Sequence, residues 1–251
     1  MRMIKIAATS DLHGNLPEIE RDFDLLLICG DICPPFYYNV SFFQGKWLRT
    51  DFKEWVNNIT GPQGKVIMTP GNHDAWFESA RGDEINSLEA DCNYKLKVLR
   101  HESCFYWHSD EDGKLKNIKI FGTPYCRVFG TWAFMRSDNY LTNAYYSIPE
   151  DTDILISHDA PNIYGLGDIT EGRYQQKGTG SPILAEAIYR IKPSIFHCGH
   201  FHSGNHNFEE HDGIWMANVS LVNERYLPVN KVLEYQFDIT TKTVIYNGEN
   251  N

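Results

Sequence analysis

The chain has 251 residues, 42% of them hydrophobic and 22% charged, which is enough for one large α/β core and too apolar for wholesale disorder. Its formal charge of −10 argues against a general binder of long nucleic acid, which would carry a basic stripe. No apolar run reaches the ~18 residues of a membrane span, the start carries no signal-like h-region, and six cysteines show no CxxC pair. These features set the expectation of a single cytoplasmic domain over residues 1–251 with reduced thiols, no membrane partner and no long nucleic-acid partner.

In chain order, Ile4–Thr9 reads as a buried strand that ends in the polar loop Ser10-Asp11-Leu12-His13-Gly14. Asp24–Cys29 is a nearly continuous apolar run, as for a strand covered on both faces, and it leads into Gly30-Asp31. Trp47, Leu48, Phe52, Trp55, Val56 and Ile59 keep a helical spacing that Gly61-Pro62 ends. Val66–Met68 then runs into Pro70-Gly71-Asn72-His73-Asp74. A helix and strand are expected within 84–99, and an antiparallel hairpin over Cys104–His108 and Ile118–Phe121 with its turn at Asp112-Gly113.

The stretch 122–139 reads as aromatic-rich loop. Asp153–Ser157 is another strand, ending at His158. The glycine-rich segment 162–180 is too long for an ordinary connection and reads as a binding lid or a mobile loop. Ser181-Pro182 starts a helix that Pro193 closes, and Ser194–Cys198 delivers Gly199-His200-Phe201-His202. The alternation from Gly213 to Asp238 predicts antiparallel strands in a second sheet. Sequons at Asn39, Asn58 and Asn218 are read as chance matches.

Five strand ends thus carry Asp11 and His13, Asp31, Asn72 with His73 and Asp74, His158, and His200 with His202. Any one of these is commonly a solvated loop or a core histidine; five in succession, each just after an apolar run, point to a site. Oxygen and nitrogen donors without thiolate suit Mn²⁺, Fe or Zn²⁺ rather than a structural cysteine-zinc site. The donors are too many for one ion and suffice for two. Two divalent ions with two carboxylates leave a cluster of about +2, an anion trap inside an acidic protein.

The motifs Asp11-x-His13, Gly30-Asp31, Gly71-Asn72-His73-Asp74, His158 and Gly199-His200-x-His202 resemble the signature of the calcineurin-like metallophosphoesterases. Phe121-Gly-Thr-Pro124 and the spacing are most similar to the small metallophosphoesterase-domain branch, over roughly Ile4 to Asp238. The resemblance implies a four-layer αββα sandwich of two mixed β-sheets flanked by helices. It implies that Asp11, His13 and His202 hold one metal, that Asn72, His158 and His200 hold another, and that Asp31 bridges them. Some members of the branch have glycine where this chain has His200; here the ligand set is intact.

His73 is expected to face the substrate, with Asp74 either orienting it or serving as a helix N-terminal carboxylate. The expected activity is a phosphodiesterase acting on a small phosphodiester or nucleotide by in-line attack of a metal-bridging hydroxide. The cofactors would be two divalent ions, manganese ahead of Fe, Zn, Ni or Mg. The alternatives are a phosphomonoesterase or protein phosphatase, or a non-catalytic metal-binding scaffold of the same fold. Arg127 is a candidate contact for a substrate phosphate. Tyr37, Asn39, Phe129, Trp132 and Phe134 either line a pocket or pack as core, the latter favoured because aromatics are usually buried.

Overall fold

The computed structural model describes residues 3–19, 22–37, 40–61, 63–109, 113–172, 175–246 and 248. In chain order the strands are β1 (Ile4–Thr9), β2 (Leu25–Cys29), β3 (Lys65–Thr69), β4 (Leu96–Val98), β5 (Glu102–Ser109), β6 (Leu115–Thr123) and β7 (Cys126–Arg127). They continue as β8 (Met135–Arg136), β9 (Ile154–Ser157), β10 (Ile195–Cys198), β11 (Glu209–His211), β12 (Ile214–Asn218), β13 (Leu233–Asp238) and β14 (Thr243–Ile245). Two six-stranded sheets result, ordered β14-β13-β1-β2-β3-β4 and β11-β12-β10-β9-β6-β5. The four consecutive strands β1 to β4 pair in parallel, as do β6, β9, β10 and β12. Antiparallel strands are added only outside these parallel centres.

The alternation of side chains across a strand explains the apolar runs. Leu25, Leu27 and Cys29 of β2 pack between the sheets against Ile120, Ile156 and Ile195. Leu26 and Ile28 face the other way, onto Phe52, Val56 and Leu88 of the helices Leu48–Phe52, Lys53–Ile59 and Gly82–Asp91. The second sheet carries its own outer layer, where Leu141 and Tyr145 of the helix Asp138–Tyr146 and Leu184 and Ile188 of Pro182–Ile191 pack on Leu155 and Phe196. Helix, sheet, sheet, helix is the four-layer αββα order. Among the described residues no helix is long and apolar enough to cross a membrane.

The helix expected from Phe43 to Ile59 forms, beginning at Ser41 and widening into a π turn over Leu48–Phe52. Ser181 caps the later helix by accepting the Leu184 amide at 3.2 Å, with Pro182 in its first turn. The hairpin pairs Ser109 with Leu115; its turn residue Asp112 lies outside the described residues, as do Pro62 and Asn39.

Three expectations change. The stretch 122–139 is not wholly loop, because β6 runs to Thr123, β7 pairs with β8, and Ser137 caps a helix whose apolar stripe is only Leu141 and Tyr145. The segment 213–238 does not stay in one sheet: β12 pairs with β10, while β13 crosses to lie beside β1. The glycine-rich segment has no helix among its described residues, yet it is anchored by buried Leu166, whose carbonyl accepts the Asn218 side-chain amide at 2.9 Å.

Candidate metal centre

Each predicted donor follows directly on the carboxyl end of a parallel strand: Asp11 and His13 after β1, Asp31 after β2, Asn72 and His73 after β3, His158 after β9, His200 and His202 after β10. The two sheets point these ends the same way, so the loops meet above the inter-sheet core. Possible ligand atoms lie within 4.8 Å of one another in three overlapping groups: Asp11, His13 and His202; His13, Asp31 and His73; Asp31, His158 and His200. Asn72 joins through Oδ1, 2.8 Å from His158 Nε2.

Local backbone makes this convergence possible. Asp11, His13, Asp31 and His200 have φ of 51°, 43°, 51° and 68°, a left-handed conformation that turns each side chain off its strand direction. Cross-links between neighbouring loops hold these turns: the Asp11 amide donates to Gly30 O at 2.9 Å, His13 to Asp31 O at 2.9 Å and Gly199 to His158 O at 3.2 Å. Two glycines are dictated by close approach. A Cβ on Gly71 would run into the Asp31 carboxylate and the His158 ring, and one on Gly199 into Ser10 and the Asp11 carboxylate.

The donor atoms have the chemistry of a cation site. His158 Nδ1 lies 3.0 Å from Cys29 O, which can only accept, so the proton sits on Nδ1 and the Nε2 lone pair is bare. That lone pair faces Asn72 Oδ1 at 2.8 Å and Asp31 Oδ1 at 3.4 Å, so three lone-pair atoms converge there. His202 is placed in a similar way, with Nδ1 3.2 Å from Asn223 O and Nε2 3.3 Å from both Asp11 Oδ1 and His13 Nε2. The two Asp31 oxygens face opposite ways: Oδ1 toward His158, Oδ2 toward His13 Nε2 at 3.7 Å and His73 Nε2 at 3.9 Å. Divalent ions fit this donor set.

Protonation follows the same field. Burial alone would raise the Asp11 carboxyl, but the His202 hydrogen bond and then the His202 charge hold it well below its ordinary value. Burial opposes a charge on His202, yet the bond to Asp11 and the charges of Asp11, Glu224 and Asp31 push its pKa up to about 9. The carboxylate that would draw a cation draws a proton in its place, so metal binding there displaces a proton. Burial lowers the pKa of His13 and His200, leaving neutral imidazoles suited to ligation. Asp31 is raised, by burial first and then by Asp11 and Asp74, with His73 opposing.

His73 stands beside this cluster, its ring 4.8 Å from that of His13 and 4.3 Å from that of Trp132. Asp74 stands at the N-cap position of the helix Ala75–Ser79, as one of its two expected roles requires, but its carboxylate turns to other amides. Its buried carboxylate accepts the backbone amides of Gly71 at 2.8 Å, Ile32 at 3.0 Å and Cys33 at 2.9 Å. It makes no side-chain cap to the helix Ala75–Ser79. Three directional amides fix it as a brace between the Asp31 loop and the Asn72 loop. Arg127 Nη2 bonds the carbonyls of Thr179 and Gly180 and so ties down the end of the glycine-rich segment.

The aromatics divide. Phe134 is core, whereas Trp132 lies on His73 and Phe129 on His200 at 5.3 Å. Tyr37 stacks on Phe43 at 5.5 Å. Two residues were missed. Tyr226, with φ of 60°, sets its ring 4.5 Å from that of His13. Ser220 Oγ lies 2.8 Å from Asp11 Oδ2. Ser220 follows the end of β12, the same position after a strand that marked the other donors; Tyr226 sits in a polar loop with no such signal.

Residues 4–204 match the family model for calcineurin-like phosphoesterases. Metallophosphoesterase domain-containing protein 1 of Homo sapiens is 25% identical over 243 residues, 90% of this chain and 68% of that protein. An Emericella nidulans protein named "Probable rhamnogalacturonate lyase C" is 24% identical over 208 residues, 80% of this chain, and the chain spans only 17% of its length. Among solved structures, TT1561 of Thermus thermophilus has a TM-score of 0.59 at 14% identity, covering 97% of this chain and 98% of that one. Phosphopantetheinyl hydrolase from Mycobacterium tuberculosis has a TM-score of 0.51 at 14% identity, covering 88% and 90%. At such identities the structural likeness speaks to the fold.

Proposed function

The chain belongs to the calcineurin-like phosphoesterases, a family of metal-dependent phosphoester hydrolases, and from that premise we propose a dinuclear site that cleaves small phosphodiesters, nucleotides among them. The observation that carries this reading is the two-sided Asp31 carboxylate, with His158 and Asn72 on its Oδ1 side and His13 on its Oδ2 side. A carboxylate shared between two donor groups would let Asp31 serve both of two divalent ions. Asp11, His13 and His202 would hold one ion, Asn72, His158 and His200 the other. Bound there, divalent ions supply Lewis-acid charge to phosphoryl oxygens and make a nucleophile from water near neutral pH.

The remaining work falls to the chain itself. His73 receives orientation through its backbone, whose amide donates to Asp31 Oδ1 at 2.7 Å, and through ring contacts with His13 and Trp132. From that position its Nε2 gives a proton to the departing alkoxide. Asp74 holds the loops of Asp31 and Asn72 at their mutual distance.

The test is protein reloaded with Mn²⁺ and assayed against an aryl phosphodiester, the corresponding monoester and cyclic nucleotides, with and without chelator. Metal-dependent cleavage that favours diesters supports the reading. Preference for the monoester returns it to the phosphomonoesterase and protein-phosphatase class, and metal binding without turnover of any substrate makes the chain a scaffold.

A further inference from the structure

Beside the metal centre, on the His200 side, lies a cavity of about 570 Å³. Phe129 and His200 both line it, their rings 5.3 Å apart. Three carboxylates, Asp138, Asp159 and Glu224, line the cavity against one guanidinium, Arg127, whose Nη2 bonds two backbone carbonyls. Asp159 is unlike the other two. It is 2% exposed, its Oδ1 accepts the Ala160 amide at 3.0 Å, and its Oδ2 makes no well-formed hydrogen bond among the described residues, although the backbone amide and the charge of Arg127 act on the carboxylate. A buried carboxylate oxygen left without a donor is costly, and such atoms are ordinarily paired with protein, water or ligand.

His200, a candidate ligand, lines this cavity, so a substituent of an anion held on the metal centre has a route into it. A second anionic group there would meet carboxylates in a partly desolvated space, where like charges repel most strongly. A group carrying O–H or N–H donors would satisfy Asp159. We propose that the cavity seats the second ester arm of the substrate and selects a short alcohol that bears a hydroxyl or ammonium group and no negative charge, with Asp159 as its acceptor. This rests on the phosphodiesterase reading and narrows it to polyol and amino-alcohol diesters, against diesters that extend into further phosphates.

The experiment uses Mn²⁺-loaded protein and four p-nitrophenyl phosphodiesters that share a leaving group and differ in the other arm: propyl, 3-hydroxypropyl, 3-aminopropyl and 2-carboxyethyl. The expected kcat/KM for the hydroxypropyl and aminopropyl esters exceeds that of the propyl ester by about tenfold or more, since a site built to bond a polar group rejects the analogue lacking it. The carboxyethyl ester is slowest. In Asp159→Asn the hydroxypropyl-to-propyl ratio falls toward unity, and in Glu224→Gln, at an exposed position, the carboxyethyl ester gains on the propyl ester. Ratios cancel any common loss of folded or metal-loaded protein. Equal rates for all four arms, or an unchanged hydroxypropyl-to-propyl ratio in Asp159→Asn, overturn the proposal and leave the phosphodiesterase reading standing. No p-nitrophenolate from any of the four overturns both.

Discussion

Asp11 and His200 are 189 residues apart in sequence, yet the His200 amide donates to Asp11 Oδ2 at 3.0 Å and to Oδ1 at 3.2 Å. The bond spans the two sheets, since Asp11 follows β1 and His200 follows β10. One carboxylate therefore serves as candidate ligand and as clamp between the halves of the site. Gly199 makes the approach possible, because any side chain there would occupy the space of Ser10 and Asp11. Gly199→Ala is expected to cost at least half of the bound metal, measured by elemental analysis after reloading, while the far-ultraviolet circular dichroism stays near wild type. Full metal content in that variant would show that the clamp is dispensable.

Asp74 lends itself to a test of bracing against proton transfer. Asp74→Ala strands three buried amides, of Gly71, Ile32 and Cys33, and should lower stability by about 2–4 kcal/mol from unpaired donors. Asp74→Asn keeps one oxygen to accept and should fall between the alanine variant and wild type. Urea melts of the three proteins decide the matter. If Asp74→Ala unfolds like wild type but turns over substrate far more slowly, the carboxylate acts on chemistry and the bracing account is wrong.

Much of this site could be read from the chain because ligation demands polar donors where strands end, and a parallel strand buried on both faces announces its end by the break in its apolar run. Asp31 after Leu25–Cys29 is such a case. What stayed hidden has no such mark. The role of Asp74 depends on backbone amides, which carry no residue identity. The left-handed turns at Asp11, His13 and His200 fall on residue types that tolerate that conformation without announcing it, and surrounding bonds hold them there. The crossing of β13 to β1 was invisible because alternation reports that a strand is half-buried and says nothing of which sheet receives it. The helix Asp138–Tyr146 has too few apolar residues to show its period.

His73→Ala separates proton transfer from metal binding. None of the strongest contacts among the candidate ligands pass through this side chain; it meets Asp31 Oδ2 at 3.9 Å, whereas its backbone amide, which alanine keeps, bonds Asp31 Oδ1 at 2.7 Å. Metal content is expected to survive while kcat falls by about 10²–10⁴, the usual contribution of a placed general acid. The loss should be smaller for esters whose leaving group is a good one, such as p-nitrophenolate, than for alkyl esters. Equal losses for both leaving groups would remove His73 from protonation of the departing oxygen.

His197 gives a pH dependence independent of the metal centre. It is fully buried between the sheets, its Nε2 2.9 Å from Tyr235 Oη, and burial lowers its pKa from 6.5 to about 3. The unfolded chain therefore takes up a proton below pH 6.5 that the folded chain refuses until about pH 3. Stability from this group is complete above pH 6.5 and is lost as pH falls toward 3, at up to about 1.4 kcal/mol per pH unit. His197→Gln, which cannot titrate and keeps an acceptor for Tyr235, should lose less stability than wild type between pH 7 and pH 4. Urea unfolding at both values measures the difference, and parallel losses in the two proteins would show that His197 is not the group that titrates.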